Sequence, residues 1–447
     1  MPSTSWGYRA ALRVGSALAP ALGLLHPKIR AGTRARREAG DRLLDWARWN
    51  RDPERPLIWF HAASVGEGLQ AESVIQHLRL RRPECQIVYT HFSPSAEGLA
   101  RRLEVDAADY LPYDLPGAAD RLLRALEPDV LVFAKLDLWP ELATRAATSG
   151  VQVTMVAATV SPGSGRLRWP ARTLLQPGYE AVAAAAAISS DDANRLARLG
   201  VAPDRIRVLG DPRFDSVAQR VRAVAADDPL LRWGRGAPTM VAGSTWPADE
   251  AVLLRAFGRL LRRRADARLI LVPHEPTAEH LARLERSAAS AGLPLPVRLS
   301  TAEQPATLLL VDRVGVLATL YGGGAMAYVG GGFGRAGLHS VLEPAAWSLP
   351  VIFGPRWRNS RDAGLLLETG AATALGRYSV KAAAAGLARQ WENWMADDRG
   401  RQTRGRLARD VVERGLGASG RSAAMIAELI STRSLRTSPP GERSSRQ

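Results

Sequence analysis

Seven residues that close an apolar run, His61-Ala-Ala-Ser64-Val-Gly66-Glu67, bring a hydroxyl, a glycine and a carboxylate into a single turn. Ser64 and Gly66 suit a tight turn. A helix starting near Glu67 would aim backbone N–H groups at an anion or a partly negative oxygen. A carboxylate there can take the proton of a hydroxyl that attacks an electrophilic carbon, which makes Glu67 a candidate general base. A first-turn glutamate that only favours the helix dipole fits the motif equally well. Lys135-Leu-Asp137-Leu-Trp139-Pro140 also follows an apolar run, and Pro140 suits the first turn of a helix. Its lysine and aspartate either face a binding crevice or form a local ion pair. In Asp211-Pro-Arg213-Phe-Asp215, Arg213 is placed to reach an anionic group in transfer.

Further along, the residue types change to those that hold nucleotides. Gly243-Ser244-Thr245 is a short phosphate-friendly turn, and Pro273-His274-Glu275 ends the next apolar run. Gly330-Gly331-Gly332-Phe-Gly334 leads on to His339-Ser340-Val341-Leu342-Glu343. A glycine run lets backbone approach a phosphate closely, and Glu343, one turn into a helix, suits a ribose. The dinucleotide fingerprint is missing after the first strand, where Ser64-Val-Gly66-Glu67 stands instead, so a nucleotide-sugar fits better.

The elements that must position these residues read as alternating strands and helices. Strands are expected at Leu57–Ala62, Gln86–Phe92, Asp129–Ala134 and Val151–Ala158, with helices over Leu69–Leu80 and Ala118–Leu126. The rhythm pauses near Gly210–Ser216, and Asp227–Pro238 reads as a linker. It then restarts with strands at Thr239–Gly243, Ala267–Val272, Thr307–Val311, Met326–Val329 and Pro350–Phe353, and a helix over Ala248–Arg263. At 447 residues two domains are expected. Both are α/β, each a doubly wound parallel sheet, over 46–225 and 226–430, with ligands at the carboxyl ends of the strands. Residues 431–447, rich in Ser, Arg and Pro, are expected to be disordered.

The formal charge is +16, and Lys28, Lys135 and Lys381 are the only lysines. An arginine-rich solvated surface accounts for this, as does an anionic partner. No block of interleaved aromatic and basic residues marks a nucleic-acid reader, which leaves an anionic substrate or a membrane surface. The single cysteine, Cys85, excludes an internal disulfide. Val14–Leu25 is uncharged and mostly apolar, follows Arg9 and Arg13, and precedes Lys28, Arg30, Arg34, Arg36 and Arg37. It is too short to span a bilayer, and no cleavage site marks a signal peptide. Residues 1–45 therefore read as a membrane-associating segment lying in the interface, or as an ordinary packed helix.

Together, His61–Glu67, Tyr110-Leu-Pro-Tyr-Asp114, Leu138-Trp139-Pro140, Gly243-Ser-Thr245 and Gly330–Pro355 resemble the 3-deoxy-D-manno-octulosonic acid (Kdo) transferases of lipopolysaccharide synthesis. The likeness runs in consistent order from about Trp6 to Ala372. It implies a GT-B fold and metal-independent, inverting transfer of Kdo from CMP-Kdo to a lipid A precursor, at the cytoplasmic face of the inner membrane. By the same resemblance Glu67 is the base, and Asp137 and Arg213 stabilise the transition state. Ser64, Gly66 and Lys135 would contact substrate. The CMP-binding segments correspond to Pro273-His274, Val314-Gly315-Val316 and Ser340–Glu343, beside Ser244, Thr245, Gly331, Gly332 and His339. The chain departs from the common pattern in having Lys135 and Asp137 where glutamates are usual, Ser340 for asparagine and Val316 for glutamate. Another nucleotide-sugar donor, and a non-catalytic relative that binds nucleotide or lipid, are the alternatives the same residues allow.

Overall fold

A computed structural model describes residues 4, 6–25, 27–335, 337–376 and 379–437. The chain forms two compact units. One runs to Ser216 and resumes at Leu416; the other spans Val217–Gly415.

In the first unit the strands are β1 (Leu57–His61), β2 (Gln86–His91), β3 (Ala107–Tyr110), β4 (Val130–Ala134), β5 (Gln152–Ala158), β6 (Ala184–Ala187) and β7 (Ile206–Val208). They form one sheet in the order β3-β2-β1-β4-β5-β6-β7, every recorded pairing being parallel. Successive residues of β1 point to opposite faces: Leu57 and Trp59 join one apolar cluster, Ile58 and Phe60 the other. Both faces are covered, which is why the strand reads as an unbroken apolar run. In the second unit β8 (Thr239–Thr245), β9 (Arg268–Pro273), β10 (Val297–Arg298), β11 (Leu308–Leu310), β12 (Met326–Val329), β13 (Val351–Phe353) and β14 (Ala372–Ala374) build a second parallel sheet. Its order is β10-β11-β9-β8-β12-β13-β14.

The expected strands are present, within a residue or two at each end. Five were not foreseen. β6 is four alanines, without the branched or aromatic residues that mark strands, and β7, β10 and β14 are only two or three residues long. β3 lies at the sheet edge with a half-exposed pattern.

The division at 225/226 is corrected. The crossing between units falls inside the helix Pro212–Arg222, while Asp227–Pro238, read as a linker, contributes buried Leu231 and Trp233 to the second unit. The C-terminal end does not stay with the second unit either. The helix Ala418–Thr437 packs against the helix Val65–Arg81 of the first, placing Ala423, Met425, Ile426 and Ile430 beside Val74, Ile75 and Leu78. Ser419 Oγ lies 2.8 Å from Ser73 Oγ, and the Asp215 carboxylate accepts from the N–H groups of Gly417 and Ser419 at 2.6 and 2.8 Å. Residues 431–437, expected to be disordered, continue this helix; 438–447 lie outside the described residues.

The N-terminal segment is two helices, Trp6–Leu25 and Pro27–Asn50. The second is not merely peripheral: Ala39, Leu43 and Ala47 are buried, so the core begins before residue 46. The first is tied down by polar contacts. Tyr8 Oη donates to Asp114 Oδ2 at 2.7 Å, and Arg9 Nε to the fully buried Glu141 at 2.9 Å, which Thr4 also meets. Asp114 accepts from the N–H groups of Glu141 and Leu142 in the first turn of the helix Pro140–Thr148, yet burial pushes its carboxyl up to about 6. Along the first helix, Trp6, Arg13, Val14 and Ala17 are exposed at helical spacing. Among the described residues no helix is long and apolar enough to cross a membrane, and the side chains of Lys28, Arg30, Arg34 and Arg37 lie outside the described residues.

Candidate active site

Strand order reverses direction in each sheet, at β1/β4 in the first and β8/β12 in the second. In open parallel sheets, ligands bind at the carboxyl ends flanking such a switch point. Both sets of chemistry-bearing residues fall there.

In the first unit β1 delivers His61 and the turn that follows, and β4 delivers Lys135 and Asp137. Ser64, in extended backbone, caps the helix Val65–Arg81. Its Oγ accepts from Glu67 N at 3.5 Å, while Glu67 Oε2 accepts from Ser64 N at 3.1 Å and from Ser64 Oγ at 3.0 Å. This is a capping box, so the structural role of a first-turn glutamate is present. It occupies one oxygen only. Glu67 Oε1 faces Lys135 Nζ at 3.9 Å, beyond hydrogen-bond length. Gly66 has nothing within 4 Å of where a Cβ would stand, leaving bare backbone at the helix start.

His61 is fully buried, between Thr90 Oγ1 at 3.1 Å from Nδ1 and Asp137 Oδ2 at 3.4 Å from Nε2. Trp59 Nε1 also donates to Thr90 Oγ1, at 2.9 Å. Burial pushes the Asp137 carboxyl up, but contact with His61, a bond from Trp139 Nε1 and the charge of Arg166 outweigh it and hold the group below its usual range. Asp137 is therefore an anion at neutral pH.

Glu67, Lys135 and Asp137 line one cavity of about 340 Å3, together with Thr159, Ser161, Ser164 and Arg166 from the segment after β5. Those four went unremarked in the sequence because they form no motif. Arg213 is not among the lining residues. It forks onto Asp211, with Nε and Nη2 at 2.9 and 2.6 Å from Oδ2.

In the second unit Trp246, unremarked in the sequence, follows β8 and organises the site. It stacks on His274, with centroids 4.9 Å apart and planes at 28°, and His274 lies 4.5 Å from His339. Trp246 Nε1 donates to His339 Nε2 at 2.9 Å. Beneath this group sits Asp249, also unremarked. Fully buried, it accepts from Trp246 N at 3.0 Å, Gly331 N at 2.9 Å and Tyr328 Oη at 2.9 Å. Burial raises its carboxyl above the usual range despite these bonds.

The glycine run meets its own chain. A Cβ on Gly330 would strike the Ser244 carbonyl oxygen, and Gly331, at φ +92°, leaves no room beside Gly337. Gly332 approaches Gly354. Ser244 itself adopts φ +52°, and Thr245 Oγ1 donates to buried Glu250. Pro273 is buried at the end of β9, and Val341 and Leu342 are fully buried. Ser340 is exposed, and Glu343 pairs with Arg220 at 3.1 Å. Val314 and Gly315, at φ +86°, form an exposed loop ahead of half-buried Val316.

Burial, and then the charge of His274, push the His339 ring down to about 4. A histidine so depressed supports the fold while neutral, above its unfolded value near 6.5, and loses that contribution as pH falls toward 4. The stability advantage of the native protein over H339N is expected to shrink between pH 7 and pH 4. Thermal melts of both at pH 7, 5.5 and 4 check this; an advantage independent of pH would contradict it.

The family model described as 3-deoxy-D-manno-octulosonic-acid transferase matches residues 37–216. A 3-deoxy-D-manno-octulosonic acid transferase of Bordetella pertussis is 30% identical over 358 residues, 74% of this chain and 80% of the relative. The chain belongs to the Kdo transferase family. Kdo transferases of Haemophilus influenzae and Aquifex aeolicus are each 27% identical, over 66% and 70% of this chain and 70% and 79% of their own lengths. Membership makes this Kdo transferase relative a glycosyltransferase. The UDP-GlcNAc 2-epimerase from Neisseria meningitidis, solved with UDP-GlcNAc, shares the fold at a TM-score of 0.59 and 11% identity, over 85% of this chain and all of that one (100%). The enzyme of that name from Methanocaldococcus jannaschii gives 0.54 at 15%, over 80% and 98%. The architecture is the GT-B arrangement expected for Kdo transferases.

Proposed function

We propose that the protein transfers Kdo from CMP-Kdo to a hydroxyl of a lipid A precursor, with inversion and without a resident metal. The observation that carries this is the split use of the Glu67 carboxylate: Oε2 is held by Ser64 while Oε1 faces the cavity. In this reading Oε1 takes the proton of the acceptor hydroxyl as its oxygen bonds to the anomeric carbon. The bond from that carbon to the phosphate oxygen breaks, and the electron pair leaves with CMP. Asp137, anionic and positioned by His61 and Trp139, stabilises positive charge developing on the sugar. Arg213 offsets the charge gathering on the phosphate, and the Trp246–His274–His339 group receives the nucleotide. A membrane-bound acceptor gives the exposed face of Trp6, Arg13 and Val14 a purpose, namely docking at the cytoplasmic surface of the inner membrane.

Purified protein with CMP-Kdo and a lipid A precursor in anionic vesicles should yield a product heavier by one or more Kdo residues. The protein should sediment with the vesicles, and W6E should weaken that association. No product with CMP-Kdo, alongside thermal stabilisation by UDP but not CMP, would replace this donor with a uridine nucleotide-sugar.

A further inference from the structure

Two carboxylates in the first unit's cavity are used by the proposed chemistry; its cations and hydroxyls are not. Lys135 Nζ, Arg166, Ser161 Oγ and Ser164 Oγ line the same space. Each is a donor or carries one. Arg166 is fixed by a 2.5 Å bond from Nη1 to the Leu136 carbonyl, and its Nη2 stands 3.9 Å from Asp137. Lys135 is anchored through its backbone, N–H to Val156 at 2.8 Å, and among the described residues its ammonium makes only the 3.9 Å approach to Glu67.

The backbone at this place is strained. Lys135 sits at φ +62° and Ala157, on the neighbouring strand, at φ +52°. Left-handed backbone is costly for a residue with a Cβ, a cost that glycine would avoid. Backbone held in this region clusters at functional sites. The chain uses arginine for nearly all its positive charge and has three lysines, yet this position is one of them. An ammonium is a compact point charge that exchanges partners readily, unlike a guanidinium locked in a planar fork.

We propose that Lys135, Arg166, Ser161 and Ser164 form an oxyanion subsite for a phosphomonoester or carboxylate of a substrate, and that Lys135 leaves Glu67 for the bound anion. A half-exposed pair at 3.9 Å is weak, so an anion held by two cations and two hydroxyls displaces it. Glu67 Oε1 is then released as the substrate arrives, which keeps the base occupied until an acceptor hydroxyl is beside it. This rests on the reading of Glu67 as the base. The anion comes from one of two sources, a phosphate on the acceptor or the carboxylate of the donor sugar.

The test uses the full-length protein and its K135Q, R166Q and R166K variants, with donor and acceptor varied independently. Acceptors with and without a phosphate are compared. K135Q and R166Q are expected to raise one KM by roughly ten- to hundred-fold, with R166K intermediate because it keeps charge but not the fork. A rise in acceptor KM that disappears with the dephosphorylated acceptor identifies the phosphate as the anion. A rise in donor KM identifies the carboxylate. A fall in kcat with both KM values unchanged overturns the subsite and leaves Lys135 as a partner of Glu67 alone. Calorimetric titration with inorganic phosphate and with free Kdo reads the subsite without turnover. Binding of either that K135Q abolishes supports it even if the native protein transfers nothing, whereas binding of neither, with no turnover, overturns it.

Discussion

Replacing Glu67 by glutamine is expected to lower the transfer rate roughly a hundred- to ten-thousand-fold, the range that a positioned general base contributes. The substitution is informative because of how the carboxylate is held. Oε2 accepts from the backbone N–H and hydroxyl of Ser64, and a glutamine oxygen can take over both bonds. The helix keeps its cap and the side chain its volume. What disappears is the negative charge and the capacity of the second atom to take a proton. Unfolding stability should therefore move by less than about 1 kcal/mol, and CMP affinity, which the proposed reaction assigns to the other unit, should not change. Initial rates by product mass, with CMP titrated calorimetrically, separate the effects. A variant retaining more than a tenth of native turnover would remove Glu67 from the role. E67A is the poorer probe, since it also strips the cap.

The second large effect is expected at Asp249, which touches no ligand in the proposed reaction. D249A leaves the N–H groups of Trp246 and Gly331 and the Tyr328 hydroxyl without their acceptor, all in the interior. Each unsatisfied buried donor costs about 1–3 kcal/mol, and with partial relaxation the sum is roughly 3–5 kcal/mol. Because Trp246 stacks on His274 and bonds His339, nucleotide affinity should fall with stability. D249N discriminates. One oxygen can still serve the two N–H groups while its amide faces Tyr328 Oη, which can accept. Its loss should be near 1 kcal/mol, with most CMP binding kept. Denaturant unfolding measures both variants; equal losses in D249A and D249N would mean that charge, not hydrogen bonding, holds the loop.

The strands that carry the first-unit site were legible because both faces of their sheet are buried, giving unbroken apolar runs at Leu57, Gln86 and Val130. The residues at their carboxyl ends were legible for the same reason: a motif directly after such a run is placed by it. Glu67, Lys135 and Asp137 line one cavity as that logic requires. Arg166 and Ser164 were not legible, since a bulged strand and an irregular segment bring them there, and neither leaves a periodic trace. Asp249 was hidden differently. It reads as an ordinary residue in the first turn of a helix, and only burial against Tyr328 and Gly331 shows its purpose. On the donor side the glycines were read as room for a phosphate, whereas Gly330 and Gly331 serve contacts with Ser244 and Gly337. Sequence conveys that backbones approach closely there, but not whose.

The helix Ala418–Thr437 has a bearing on how the protein is made. The layer it completes over Val74, Ile75 and Leu78 is encoded roughly 340 residues downstream of the helix that carries them. A chain still emerging from the ribosome carries the whole first sheet with that apolar flank uncovered, while the contiguous segment Val217–Gly415 can fold ahead of it. Completion waits for that helix to be synthesised and for its first turn to be clasped by Asp215. A prematurely terminated product thus shows quality-control machinery an open hydrophobic face, and the cavity of its first unit never gains a finished core behind it.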